Sequence, residues 1–371
     1  MDAFLARHIL KRGLRRPVAA WLGRSFPTRA RRRMLIYYHP SAITWAQVHP
    51  FVAYRRTLAA RFGAAIRCRP VAELLAGDMT AARGADIVLV APWFTVEPAR
   101  LSQALERLAA TGTAVSFLDT YAANDLRLGA AVDPHVRFYL KKSLFRDRRQ
   151  HARTFRGDTN LEAYYGDLFG LRFDPVDWGV PGTLLPKLRL SPNFLTAPQF
   201  IGAFRPGASP PQEGRNLDMQ LRLGRRGSPR YAAMRGDALD RARGIAGLSV
   251  SPEGKIGYAA YMDEMRAARL CFSPFGYGEL CWRDIEGFLT GSVVIKPDMG
   301  HLETLPELYE PGVTYLPCRW DHADLEEVVR GALADPDLRR RLAETAHARC
   351  ADYLASGESF AADMAFLFES A

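Results

Sequence analysis

Apolar residues along this chain fall into two alternating patterns. Short, mostly apolar runs at 34–38, 64–68, 86–90 and 113–118 read as strands, and residues at helical spacing over 54–62, 71–76 and 98–110 lie between them. Strands alternating with helices in this way predict a parallel sheet flanked by helices. A run at 137–140 adds a strand, while 145–195 is irregular and predicts no element. Prolines and glycines cluster over 206–214 and mark a boundary. The alternation then resumes, with strands at 219–223, 245–250, 270–275 and 292–295 and helices at 229–243, 257–268 and 281–290, followed by late helices at 325–334, 336–353 and 359–368. The expectation is an α/β protein with two Rossmann-like parallel-sheet domains, 34–205 and 206–350, facing a cleft. Residues 1–33 precede them, and 351–371 is expected to carry a helix that packs back on the first domain.

Candidate chemistry concentrates at the strand-loop-helix joint near the middle of the second domain. Gly276-Tyr277-Gly278 joins the strand to a helix beginning near Cys281, where small residues admit a ligand and the first helical turn offers unpaired N–H groups to a phosphate. Arg283 and Glu286 share one helical face: a guanidinium there suits a diphosphate, and a carboxylate suits vicinal hydroxyls. A nucleotide sugar presents both groups, although the same spacing also suits a plain surface ion pair. Gly224 and Arg225, just past the strand at 219–223, form a second candidate phosphate contact or an exposed charged turn. His301 and Glu303 are possible sugar contacts, whereas Thr304 and Glu307 have the spacing of a helix capping box. In the first domain Asp119 and His39 each end a strand, where ligands meet parallel sheets, and either can serve as a general base, Asp119 ranking first. Their plainer roles are a helix cap and a loop brace.

Charge and cysteine usage narrow the setting. Residues 1–33 hold ten Lys or Arg against Asp2 alone, a charge of +9, so the remaining 338 residues contribute only +1 of the total +10. A cationic leader with interleaved Phe4, Leu5, Ile9, Leu10, Leu14, Val18, Trp21 and Leu22 suits an anionic membrane surface, with a solvated leader or a nucleic-acid contact as the alternatives, nucleic acid being the less expected partner. Five scattered cysteines suit free thiols in a reducing compartment, and neither they nor the eight histidines show metal-ligand spacing. With no apolar signal segment, the expected location is cytoplasmic, peripheral on the cytoplasmic face of a membrane if the leader binds there.

Several stretches taken together resemble a known family. They run from Met219-Gln-Leu-Arg-Leu-Gly224 through Phe272-Ser-Pro-Phe-Gly276, Cys281-Trp-Arg-Asp-Ile-Glu-Gly287 and Gly291-Ser-Val-Val-Ile295 to Pro306-Glu-Leu-Tyr-Glu-Pro-Gly312, with Asp324-Leu-Glu-Glu-Val328 and Asp335-Pro-Asp-Leu-Arg339 after them. This half of the chain resembles the nucleotide-sugar-binding domain of GT-B glycosyltransferases, nearest to the exostosin-like and group 1 families. The resemblance implies a nucleotide-sugar donor in the second domain, a glycan or lipid-linked saccharide acceptor in the first, and neither a cofactor nor an obligatory metal. It puts Glu286 at the ribose-binding position and Arg283 at the basic position near phosphate. In the retaining group 1 pattern two glutamates lie one residue farther apart than Glu279 and Glu286 do, so an inverting reaction is preferred. A non-catalytic nucleotide- or glycan-binding protein and a nucleotide-sugar epimerase on the same fold are the alternatives.

Overall fold

The computed structural model describes residues 23–369, so most of the basic leader lies outside the described residues. In the first domain β1 (Arg32–Tyr38), β2 (Ala64–Pro70), β3 (Ile87–Ala91), β4 (Ala114–Asp119) and β5 (Phe138–Lys141) follow in sequence. β6 (Ser143–Phe145) then leaves for the second domain, β7 (Phe155–Arg156) and β8 (Pro175–Val176) pair antiparallel, and β9 (Leu188–Leu190) returns. The result is a six-stranded parallel sheet in the order β2-β1-β3-β4-β5-β9. Every residue of β3 is buried, because Ile87 and Leu89 face one core while Val88 and Val90 face the other. The helix Pro98–Ala109 closes the second of these with Leu101, Ala104, Leu105 and Leu108 on one face. Its start is set by Pro98 and by the Glu97 carboxylate, which accepts from the N–H groups of Ala99 and Arg100 at 2.8 and 2.6 Å.

The second domain carries β10 (Leu217–Gln220), β11 (Ala268–Phe272), β12 (Val293–Pro297), β13 (Leu302–Thr304) and β14 (Leu316–Cys318). Four of them form a parallel sheet in the order β10-β11-β12-β14, while β13 crosses over and pairs antiparallel with β6. That pairing joins the two domains edge to edge. Around it Arg148 pairs with Glu303 at 2.5 Å, Arg146 with Glu307 at 2.9 Å, and the Tyr165 hydroxyl donates to the Trp320 carbonyl at 2.9 Å. After the helix Pro336–Leu354 the chain returns to the first domain through the helix Glu358–Asp363. There Phe360 meets Phe51 edge-on at 5.0 Å, Phe368 stacks on Phe62 at 4.7 Å, and Phe366 meets Phe138 at 4.9 Å.

Four expectations about elements need correction. An additional helix, Ala42–Ala53, precedes Arg55–Phe62, and Asn160–Phe169 is a helix inside the irregular segment, with Thr159 accepting from Leu161 N at 3.2 Å. The expected strand at 245–250 is reduced to a single bridge between Val250 and Met219. No helix follows Thr304: this residue ends β13, and its hydroxyl donates to the Pro306 carbonyl at 2.8 Å instead of capping. Among the described residues no helix is long and apolar enough to cross a membrane.

Candidate functional site

The carboxyl ends of the two sheets carry the loops that meet at the domain boundary, and each side contributes a distinct kind of surface. On the first-domain side the loops after β1, β3 and β4 place a run of aromatic rings. His39 lies 5.0 Å from Trp93, Trp93 4.8 Å from Phe94, and Phe94 4.3 Å from Tyr121. Arg127 extends the run, its guanidinium 4.1 Å from the Tyr121 ring centre and 4.7 Å from that of Trp178. All of these rings are half-buried, so a face of polarised C–H bonds, such as a pyranose offers, can lie along them.

On the second-domain side the helix Trp282–Thr290 sets Glu286 against the helix Tyr258–Ala267. Glu286 is only 7% exposed, and the Tyr261 hydroxyl donates to its Oε2 at 3.0 Å. Burial raises the Glu286 pKa, and hydrogen bonds from Tyr261 and Tyr258 together with the Arg283 charge offset this only in part. Tyr258 is half exposed beside it, at the end of a loop that Arg222 fixes through the Glu253 and Gly254 carbonyls at 3.1 and 2.9 Å. Arg222 also forks onto Glu264 at 2.8 to 2.9 Å. Arg283 reaches the Gln220 side-chain oxygen and the Arg222 carbonyl, so it is anchored to the end of β10 instead of forming the ion pair with Glu286 that their spacing allows.

Between the two surfaces sits Glu279, fully buried. Its carboxylate accepts from Asn124 Nδ2 at 3.0 Å and Asn160 Nδ2 at 3.1 Å, both in the first domain, and lies 3.4 Å from His301 Nε2 in the second. Burial alone would raise its pKa; the His301 hydrogen bond and charge, with the Asn160 bond, outweigh that and hold it below the usual range. Glu279 therefore ties the domains together as an anion.

Other candidates turn out to be used differently. Asp119 is buried and saturated: Tyr139 and Lys141 each donate to Oδ2 at 2.7 Å and Tyr121 N to Oδ1 at 2.9 Å. Burial opposes its ionisation, but Lys141 and these bonds prevail and lower its pKa, which suits an internal counter-ion and not a base. Arg225 is an exposed cation paired with Asp240 at 3.1 Å and Glu253 at 3.6 Å, with Gly224 beside it 3.7 Å from the Tyr231 hydroxyl by its would-be Cβ. Glu303 belongs to the inter-domain pair with Arg148, and His301 faces Glu279. Gly278 is small for a reason other than a ligand, since a Cβ there would sit 1.9 Å from the Ala122 carbonyl oxygen across the boundary. Gly276 closes the same turn, its N–H donating to the Gly278 carbonyl at 2.8 Å while Arg230 holds its carbonyl at 2.7 Å.

The amino end of the helix Trp282–Thr290 carries the chain's own anion. Asp284 is fully buried and accepts from Cys281 N at 3.0 Å, Ser273 Oγ at 2.5 Å and Tyr309 at 2.7 Å, with Lys296 3.2 Å away. Trp282 stacks on Phe194 of the first domain at 4.5 Å. The helix end expected to offer N–H groups to a phosphate thus already faces a carboxylate of its own chain. The residues missed from sequence are Glu279 in its bridging role, Asn124, Asn160, Tyr258, Tyr261 and the Trp93-Phe94 pair. Only the last carries a local signal, as two aromatics directly after a buried strand.

No protein-family profile matches the sequence, and no curated protein matches it. Solved structures do match. A glycosyltransferase from Rickettsia africae ESF-5 superposes with a TM-score of 0.51 at 10% identity, over 92% of this chain and 100% of that one. A protein described as a UDP-N-acetylglucosamine 2-epimerase from Listeria monocytogenes superposes at 0.42 with 13% identity, over 90% of this chain and 96% of its own. At such identities the likeness concerns the fold, and the chain is an α/β protein of GT-B-like architecture with two Rossmann-like domains facing a cleft.

Proposed function

We propose that this protein is a glycosyltransferase that moves a sugar from a nucleotide-sugar donor to a glycan or lipid-linked saccharide acceptor, with inversion at the anomeric carbon and without a metal. The observation that carries it is the pairing of surfaces across the domain boundary: a sunken carboxylate with two tyrosines and guanidinium groups on one side, an aromatic run on the other. Glu286 accepts from the vicinal ribose hydroxyls, and the exposed ring of Tyr258 offers the nucleobase a stacking face. Arg283 and Arg222 are the cations nearest the diphosphate. The exostosin-like affinity rests on the run of motifs from Met219 to Arg339, and the preference for inversion on Glu279 and Glu286 lying one residue closer than the two glutamates of the retaining pattern.

In this reading the acceptor saccharide lies along Trp93, Phe94 and Tyr121, with His39 at the end of that run as the base. Its imidazole takes the proton of the attacking hydroxyl as the new C–O bond forms at the anomeric carbon. The bond from that carbon to the diphosphate oxygen breaks with its electron pair, and the leaving charge is met by the guanidinium groups.

The test is a mass-spectrometric screen of purified protein against a panel of nucleotide sugars, with and without saccharide acceptors, followed by NMR of the product's anomeric configuration. Acceptor-dependent release of nucleoside diphosphate with an inverted product is expected. His39→Gln is expected to lower kcat by about 10²-fold or more, the scale of general base catalysis, with donor KM little changed. Donor epimerisation without an acceptor, or donor binding without turnover under any acceptor, would replace the transferase reading.

A further inference from the structure

A second basic cavity lies at the opposite end of the second domain, at the amino ends of its strands. It has a volume of about 310 Å³ and is lined by Gln212, Gly214, Arg215, Arg269, Pro336, Arg339 and Arg340. Arg215 lies two residues before β10, Arg269 is near the start of β11, and the other two arginines ride the first turns of the helix Pro336–Leu354, whose positive end points here. The carboxylates around it are few and engaged: Asp218 with Arg269 at 2.8 Å, Asp337 with Arg340 at 2.7 Å, and Asp335 with Leu338 N at 2.8 Å. Among the described residues Arg215 and Arg339 have no carboxylate within ion-pair distance: Arg215 donates to the carbonyls of Ala268, Pro211, Thr290 and Arg266 at 2.5, 2.6, 2.7 and 3.0 Å and to Ser292 Oγ at 3.4 Å, and Arg339 to those of Ala332 and Leu333 at 2.5 and 2.6 Å.

Carbonyl oxygens satisfy N–H groups without cancelling charge, so against Asp218, Asp335 and Asp337 the four guanidinium groups leave an excess of one positive charge in a confined space, beside the positive end of a helix. Burial, with a smaller push from the neighbouring Arg269 and Arg339, brings the Arg215 pKa down to about 10. Arg215 is also 8% exposed, and its Nε is buried with no acceptor. Nothing in the transfer reaction uses this cavity, which faces away from the loops after β10 and β11.

We propose that the cavity is a separate binding site for a small soluble anion bearing two or more phosphates, held by the guanidinium groups of Arg269, Arg339 and Arg340 in front of the buried Arg215 charge. Its volume admits a ligand of that size, and forked N–H donors match phosphate oxygens. A lipid headgroup offers the same phosphate chemistry, but a recessed cavity favours a free ligand over a bilayer.

Inorganic tripolyphosphate, titrated calorimetrically into the full-length protein, is the probe. In the Arg283→Ala variant, which removes the cleft contact, one site is expected to persist. In the Arg269→Gln/Arg340→Gln variant, altered only at partly exposed side chains, that site is expected to weaken at least tenfold, with sulfate binding far more weakly to either protein. Tripolyphosphate binding that is unchanged in the double variant, or lost with Arg283→Ala alone, overturns the proposal. Should the double variant misfold, Arg340→Gln alone is expected to weaken binding severalfold, and no change there is equally adverse. Co-sedimentation with phosphatidic acid vesicles that disappears in the double variant, without tripolyphosphate binding, would reassign the cavity to a membrane lipid and end the claim of a soluble ligand.

Discussion

Asp119 shows how a residue's position and its chemistry can point in different directions. It stands at the carboxyl end of β4, where a general base would stand, yet its oxygens are committed to Lys141, Tyr139 and the Tyr121 amide. Asp119→Asn is expected to strand the buried Lys141 charge and cost about 3–5 kcal/mol in stability, read as a large fall in denaturation midpoint. A catalytic role would instead lower turnover at unchanged stability. The acid limb carries the same signature. Because the folded pKa lies below the ordinary 3.8, the Asp119 contribution is fully present above that value and is lost as pH falls through the folded pKa. The variant should lack this part of the acid transition in a pH series of melts. At Glu286 the shift has the other sign, and in the proposed reading the ionised form is the one that accepts from the donor, so nucleotide binding should release a proton and weaken as pH falls through a value above the ordinary 4.5. Calorimetry in buffers of different ionisation heat measures that proton, and Glu286→Ala should cost about tenfold or more in donor affinity, the worth of hydrogen bonds to a charged group. Glu286, Arg283 and His39 were legible because chain order alone puts them at strand ends or on one helical face. The work of Glu279 was not, since its partners Asn124 and Asn160 lie 155 and 119 residues away.

Elements were legible where burial leaves a period to read. The helix Pro98–Ala109 has one apolar stripe and was visible; Ala42–Ala53 was not, because Thr44 through Val48 are all buried and Pro50 sits inside it. β13 and β6 escaped notice for another reason: each is three residues long and exists only by pairing with the other across the domain boundary. The turn at Gly278 belongs to that boundary as well. Gly278→Ala would drive a methyl group into the Ala122 carbonyl, 1.9 Å away, with backbone on one side and a tied turn on the other. The expected result is a more open pair of domains, seen as a larger radius of gyration by small-angle scattering and a loss of about 1–3 kcal/mol in stability. An unchanged scattering profile would show that the turn can yield without moving the domains.

At the scale of the whole molecule, alternating patterns, the Pro-Gly cluster and a run of motifs in the second half led to the two-domain α/β architecture. The return of the chain's end to the first domain was expected from the last helix, but the direct ties between the halves were not, because they depend on the β6–β13 pairing and on the contacts of Glu279. Phe360, buried against Phe51 and Tyr54, is the centre of that return. Phe360→Ala is expected to cost about 3–5 kcal/mol and to expose the helix Arg55–Phe62, measurable as faster amide exchange there than in the second domain. The polypeptide thus passes between the halves twice, once near 206–214 and again beyond Leu354. The β6–β13 ladder is a third attachment, so the halves are clasped as well as strung together, and any swing that draws them apart works against that clasp and against the Glu279 bonds to Asn124 and Asn160.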